Sequence, residues 1–377
     1  MEIEVFGVER WMDLYENECK YNLAETCVES LTFAQLLDIS GKTEQQLLAD
    51  LMPMKLTYGA IIGSEALRKN IAKLYSEQTQ DNVLITHGAI GANALVHETL
   101  VFPDDHVIAV SPTYQQHQSI PKSYGANVSL LELRPENNFL PDINELKALM
   151  TSRTRLIILN NPNNPSGSLM DKSLMSDIIA IANAYGAYIL CDEVYRGLDE
   201  QGNGFTESIA DLYEKGISTG SMSKAYSLAG LRLGWIVCHD KQLLDAMVKH
   251  RDYNTISVGM LDDYFATLAL DNVDKILERN HKITRNNRQI LDEWVQNEPS
   301  ISYVKPQSGT TALLKFDFDM PSWDFCVQLL EKTGVMLCPG SVLNMEGFVR
   351  IGYANNSQVL TQGLSKMSAF LADLRAK

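Results

Sequence analysis

The chain changes rhythm twice along its length. Between about residues 83 and 239, short and nearly continuous apolar runs (83–86, 107–110, 128–133, 156–159, 188–191, 217–220 and 233–238) alternate with stretches of helical period such as 89–100 and 172–185. Apolar runs without polar alternation predict strands covered on both faces, and helices between them predict parallel neighbours. The expected fold class is α/β, a mostly parallel sheet of the seven-stranded type with helices on both faces. Before residue 50 the pattern gives helices at 8–16 and 43–52, and a glycine-bearing turn at 58–63 then runs into a helix capped by Ser64. Past about residue 272 comes a long polar helical stretch at 274–297. Strand-like pieces at 312–316 and 348–352 and helices at 323–333 and 358–375 follow it. Residues 51–271 are therefore expected to form the large α/β domain, and 1–50 with 272–377 a smaller α+β domain.

Composition removes several function classes. Of the 377 residues 45% are hydrophobic and 21% charged, the balance of an ordinary globular protein able to bury a full core. Lys+Arg number 32 against 47 Asp+Glu, and the net charge of -15 argues against nucleic acid or anionic membrane as a partner. Six scattered cysteines with no C-x-x-C pair read as reduced thiols. The acidic start Met1-Glu2-Ile3-Glu4-Val5 is unlike a signal peptide, and no apolar run reaches membrane-span length, so a cytoplasmic location is expected.

In open parallel sheets ligands bind beyond the carboxyl ends of the strands, so the residue after each apolar run carries information. The run 83–86 is followed by His87-Gly88-Ala89-Ile90-Gly91, a turn into a helix whose free N–H groups suit a phosphate. After 107–110 come Tyr114, a candidate plate over an aromatic ligand, and His117 behind it. The stretch 160–167 holds four asparagines and two X-Pro steps, so its amides are aimed by a stiff backbone. After 188–191 come Asp192 and Tyr195, a strand-end carboxylate that needs a cation and a phenol beside it. After 217–220 comes Ser221-Met222-Ser223-Lys224, with Arg232 eight residues on. A lysine at a strand end is open to desolvation that lowers its pKa, as Schiff-base lysines need, and Arg232 supplies a planar fork for phosphate. Arg350 stands inside the late strand, where it suits a substrate carboxylate. The set fits an aromatic aldehyde with a phosphate arm and a basic ring nitrogen.

These residues resemble the fold-type I, pyridoxal-phosphate-dependent aminotransferases of the aspartate aminotransferase superfamily, class I/II. The resemblance runs from Tyr58 to Arg350. It rests on Tyr-Gly-x-x-x-Gly-x-x-x-Leu-Arg from Tyr58, the asparagine–proline stretch 161–167, Asp-Glu-x-Tyr from Asp192, and Ser-x-Ser-Lys followed by Arg232. It implies that Lys224 holds pyridoxal 5′-phosphate as an aldimine and moves the proton, and that Asp192 keeps the ring nitrogen protonated. Asn164 and Tyr195 would bond the ring hydroxyl oxygen, Tyr114 would stack on the ring and His117 would back the aspartate. Ser221, Arg232 and the N–H groups of Gly88, Ala89 and Ile90 would hold the phosphate. The resemblance also implies a homodimer in which Tyr58 reaches the partner's phosphate, and it makes Arg350 the clamp on the substrate carboxylate, with Asn164 beside it. No metal is implied.

Two positions depart from the family pattern. The segment 25–30, where relatives place a glycine, has none, and Asn-Pro-Ser-Gly from Asn164 stands for the usual Asn-Pro-Thr-Gly. Arg251 and Lys315, expected to be surface groups, are the alternatives for a second substrate carboxylate. The expected activity is transfer of an amino group from an L-amino acid to a 2-oxo acid by a ping-pong route. The alternatives are a C–S β-lyase that releases pyruvate and ammonia, a cyclase acting on an arginine derivative, and a cofactor-binding regulator, which the acidic charge disfavours.

Overall fold

Consecutive residues of the apolar runs part to opposite faces of one sheet. Val107, Ala109, Leu156, Ile158 and Leu190 pack into a buried cluster with Ala92, Leu95 and Val96 of the helix Gly88–Leu100. Ile108, Val110, Ile157, Leu159 and Ile189 pack on the other side with Met175, Ile178 and Ala182 of the helix Lys172–Tyr185. Strand side chains alternate with a period of two, so only a strand apolar at every position can serve two helical layers at once. Each fully buried aliphatic side chain contributes roughly 1.5–3 kcal/mol. The helix Lys172–Tyr185 also shows why the runs stop where they do: Asp171 accepts from Leu174 N at its start, and Gly186, at φ 67, takes the left-handed turn at its end.

The computed structural model describes residues 2–376. Its seven-stranded sheet has the order Val83–Thr86, Gly234–Cys238, Gly216–Ser221, Tyr188–Asp192, Thr154–Asn160, His106–Ser111, Asn127–Glu132. Neighbours are parallel except that Gly234–Cys238 runs antiparallel to both of its partners. The exception follows from the connection. Between Ser221 and Gly234 the chain has no crossover helix, only a bent loop closed by Met222 N donating to Leu233 O at 3.0 Å, and such a return leaves the next strand antiparallel.

A second core is built on the antiparallel sheet Cys338–Pro339, Phe348–Gly352, Thr311–Phe316, Ile301–Tyr303. Trp11 of the helix Gly7–Tyr15 is fully buried there with Leu314, Phe325 and Phe370, its indole Nε1 donating to Leu337 O at 2.9 Å. Tyr21–Asn22 pairs in parallel with Val335–Met336 and ties the amino-terminal segment to this body. Val28 and Leu36, by contrast, pack in the cluster that holds Leu67, Trp235 and Phe265. Among the described residues no helix is long and apolar enough to cross a membrane.

Asp199 sits where the two cores meet. It is 7% exposed, accepts from Ser308 Oγ at 2.8 Å, and its carbonyl accepts from Arg285 Nη2 at 3.0 Å. Burial pushes its carboxyl from the ordinary 3.8 up to about 6, against the opposing pull of Ser308, Arg196 and Arg285. The folded chain then holds more protons than the unfolded one between about pH 4 and 6, so stability falls as pH rises through that window. Asp199→Asn keeps an oxygen for Ser308 and removes the charge. It is expected to stabilise the protein by up to about 3 kcal/mol at pH 8 and to change little at pH 4. Thermal unfolding at the two pH values checks this, and equal shifts at both would refute it.

Candidate active site

The carboxyl ends of the parallel strands open on the second core, and between them lies a cleft of about 470 Å³. Its walls carry Lys224, Asp192, Tyr195, Tyr114, Asn164, Ser221, Ala89, Ile90, Arg232 and Arg350, residues that lie up to 261 positions apart in the chain.

Asp192 ends the strand Tyr188–Asp192 and is 5% exposed. Asn93 Nδ2 donates to its Oδ2 at 2.9 Å, His117 Nε2 lies 3.3 Å from the same oxygen, and Val194 N donates to Oδ1 at 3.2 Å. Thr219 Oγ1 donates to Asn93 Oδ1 at 2.7 Å and fixes that amide. Behind His117, His97 packs edge-on at 5.7 Å; burial holds its pKa well below the usual histidine value, with His117 adding to the effect. The carboxylate thus has donors but no lysine or arginine within ion-pair distance among the described residues. A buried carboxylate so placed suits a protonated nitrogen arriving with a ligand.

The stretch 160–167 is aimed by its own amides. Asn160 Nδ2 donates to Asp192 O at 2.9 Å while its Oδ1 accepts from Asn164 N at 2.7 Å, and Asn163 binds Pro112 O and Ser166. Asn164 is left to face the cleft, its Oδ1 accepting from Arg350 Nη1 at 3.2 Å. Arg350 is 3% exposed in the middle of Phe348–Gly352, donates from Nη2 to Ala24 O at 3.1 Å, and keeps Nε without a partner. The Tyr195 hydroxyl, 2% exposed, is also unpartnered. Burial raises its pKa, against Lys224 and Arg350, which pull it down. Two buried polar groups left open at one cleft are what an anionic, hydrogen-bonding ligand would satisfy.

Lys224 is half-buried just past Gly216–Ser221 and donates from Nζ to Thr26 Oγ1 at 2.6 Å and to Cys27 Sγ at 3.5 Å. The expectation of a depressed pKa does not hold in this surrounding. Burial lowers it, but Tyr195, Cys27 and Glu25 more than offset that, and the net direction is upward. Burial pushes the Cys27 thiol up to about 11, so at neutral pH the anion that faces Lys224 is the Glu25 carboxylate. Burial would raise Glu25 as well, but Lys224 and the N–H groups of Cys27 and Thr26 hold it below the usual value.

At the other end of the cleft two glycines permit a close approach. Gly88 has φ +68 and lies where a Cβ would be 3.1 Å from Arg232 Nη2; a Cβ on Gly234 would fall 2.3 Å from the Gly88 carbonyl carbon. Arg232, itself left-handed at φ 48, spends Nη1 on Ala229 O and turns the rest of its fork toward the start of Gly88–Leu100. With Ser221, Ser223 and the N–H groups of Ala89 and Ile90 this makes a cradle suited to a phosphate. Tyr114 lines the cleft between these groups, its ring against Phe6 at 4.6 Å and its hydroxyl donating to Glu9 at 2.6 Å. The donor set, the open phenol and the cradle fit pyridoxal phosphate.

Tyr58 is 73% exposed and lies outside the cleft of its own chain. Arg251 is not a surface group: it is 3% exposed and donates to Ile85 O at 3.0 Å. Lys315 is exposed, and neither lines the cleft. Sequence reasoning missed Asn93, a polar residue inside the apolar helix Gly88–Leu100, and it missed Glu9, Met12 and Glu16, whose spacing of three and four marks one helix face. The glycine-free segment does reach the cleft, through Glu25, Thr26 and Cys27.

The profile of the family described as aminotransferase class I and II matches residues 9–366. The chain is 30% identical to a capreomycidine synthase of Streptomyces vinaceus over 96% of this chain and 92% of that one. It is 32% identical to an aspartate aminotransferase of Pyrococcus horikoshii over 81% and 80%. The crystal structure of a PLP-dependent aminotransferase from Streptococcus suis 89-1591 superposes with a TM-score of 0.96 at 42% identity, covering 99% of each chain. The chain thus belongs to the aminotransferase class I and II family, as a pyridoxal-phosphate-dependent transaminase.

Proposed function

We propose that the enzyme moves an amino group from an L-amino acid to a 2-oxo acid in two half-reactions that share the one cleft. The observation that supports this is the meeting of a lysine amine, an uncompensated buried carboxylate and a half-satisfied arginine around a single volume of about 470 Å³. The cofactor, when bound, supplies the carbonyl that accepts the amine and a ring that withdraws electrons from the substrate's Cα–H bond. Arg350, held by Asn164 and the Ala24 carbonyl, binds the α-carboxylate and fixes which bond faces Lys224. Lys224 Nζ, once it is a free amine, takes the Cα proton; Thr26 Oγ1 keeps it at that place. Asp192 would keep the cofactor's ring nitrogen protonated, Tyr195 would donate to its ring oxygen, and Ser221, Arg232 and the start of Gly88–Leu100 would hold its phosphate.

The working unit in this reading is a homodimer. Met52, Leu56, Tyr58, Ile61 and Ile62 are exposed by 79, 83, 73, 42 and 39%, an apolar stretch for a second copy to cover, and Tyr58 then reaches the partner's phosphate. The free cysteines, five of them buried, suit a reducing cytoplasm. The absorbance of the purified holoenzyme, followed while amino acids are added without any 2-oxo acid, tests the reaction. A shift to the pyridoxamine band, reversed by a 2-oxo acid, is expected. Steady release of pyruvate and ammonia with an unchanged band would make the enzyme a lyase instead.

A further inference from the structure

We propose that the cleft selects amino donors whose side chain ends in a cation, a guanidinium or an ammonium, and that Glu9, Glu16 and Glu25 recognise it. The inference rests on the reading of the cleft as an amino-acid site and adds the class of substrate.

All three cations of the cleft are already placed: Lys224 on Thr26 and Cys27, Arg232 at the cradle, and Arg350 at the Asn164 and Ala24 oxygens. None is left for a second substrate carboxylate, and Arg251 and Lys315 lie outside. Apart from Asp192, the remaining charged groups on the wall are three glutamates. Glu9, Met12 and Glu16 face the cleft from one side of Gly7–Tyr15 and the turn after it, while Trp11 on the other side is locked into the second core. The helix therefore cannot roll its carboxylates away. Glu25 follows Ala24, whose carbonyl Arg350 grips, so the acidic wall, which Glu9 and Glu16 share, begins beside the proposed α-carboxylate position. Glu9 and Glu16 stand about 10 Å apart along the helix, a span that a long side chain crosses.

Among the described residues none of the three is ion-paired to a lysine or arginine, and no grouping there is suited to a metal. Glu9 and Glu25 take neutral donors, from the Tyr114 hydroxyl and from the N–H groups of Thr26 and Cys27. Burial, and then the charges of Glu25, Glu9 and Asp13, push the Glu16 carboxyl up. An organic cation seated among them relieves that repulsion. The unpartnered Nε of Arg350 and hydroxyl of Tyr195 show that the same cleft is built for a ligand that the chain does not itself supply.

The test uses the holoenzyme and two readouts. Single-turnover absorbance is recorded with arginine, ornithine, alanine and glutamate, and binding of the unreactive 2-hydroxy analogues of arginine and glutamate is measured by calorimetry. Arginine and ornithine are expected to react with at least about tenfold higher efficiency than alanine, and the arginine analogue to bind tighter than the glutamate one. Glu16→Gln should cut the arginine-to-alanine ratio about tenfold, and Glu16→Lys should turn the preference toward glutamate. Alanine or glutamate as the favoured donor of the unaltered enzyme overturns the inference and leaves transamination standing. Should no amino acid shift the band, the transamination reading fails, and the calorimetric preference and its dependence on Glu16 decide the inference alone.

Discussion

The enzyme carrying Lys224→Ala is expected to lose transamination by about 10⁴-fold, near the top of the range for a positioned acid–base group, because in the proposed reaction one amine both holds the cofactor and moves the proton. Nothing else on the wall replaces it. Thr26 and Cys27 are the near neighbours of Nζ; the hydroxyl is a poor base, and burial pushes the thiol up to about 11. Cofactor binding should survive, since the cradle of Gly88, Ser221 and Arg232 and the Asp192 contact do not involve Lys224. The variant is therefore expected to bind the cofactor non-covalently, with the spectrum of the free aldehyde, and to convert substrate in single turnovers at the residual rate. Small primary amines in the buffer should restore part of the lost rate in proportion to their concentration, because deletion of the butylammonium arm leaves room where Nζ stood. A variant that kept more than a tenth of the rate would remove Lys224 from the proton transfer. One that lost the cofactor altogether would make its role structural.

Much of this site is legible along the chain because a parallel sheet sorts its own residues. The apolar runs of the central parallel strands end where the strand meets the cleft, so Asp192 after 188–191, Asn164 after 156–159 and Lys224 after 217–220 mark the mouth. What the sequence leaves hidden depends on orientation and on summed fields. The helical period at 8–16 reveals a face carrying Glu9, Met12 and Glu16, but only the packing of Trp11 on Leu337 says that this face looks into the cleft. The pKa of Lys224 is hidden for the same reason: desolvation is suggested by its place at a strand end, whereas Glu25, 199 positions away, is brought to it by the tertiary fold. Arg251 ends a helix with a charged last turn and reads as solvated, yet it is buried against a main-chain carbonyl of the sheet. The antiparallel strand Gly234–Cys238 has the same apolar content as its parallel neighbours, so its direction is set by the short loop before it and not by its own residues.

Asp192→Asn is expected to lower turnover by about 10²–10³-fold, the cost of removing one preorganised electrostatic contact to a charge that the reaction needs. Its effect on unfolding should be small by comparison. The substitution is isosteric, its one oxygen can still accept from Asn93 Nδ2, and loss of a charge buried with no lysine or arginine beside it offsets the hydrogen bond given up at Val194 N. The two measurements separate the roles. Loss of turnover with the melting temperature nearly kept assigns the carboxylate to the chemistry, and parallel loss of both assigns it to the fold. The defect should fall on kcat more than on KM, since in the proposed reading it is Arg350 and the acidic wall, not Asp192, that bind the amino acid. Asp192→Glu keeps the charge but adds a methylene in a space closed by Asn93, His117 and Thr219, so it should recover only part of the rate. A full rate in Asp192→Asn would leave no catalytic reason for a carboxylate there, 5% exposed and with no lysine or arginine in ion-pair distance among the described residues.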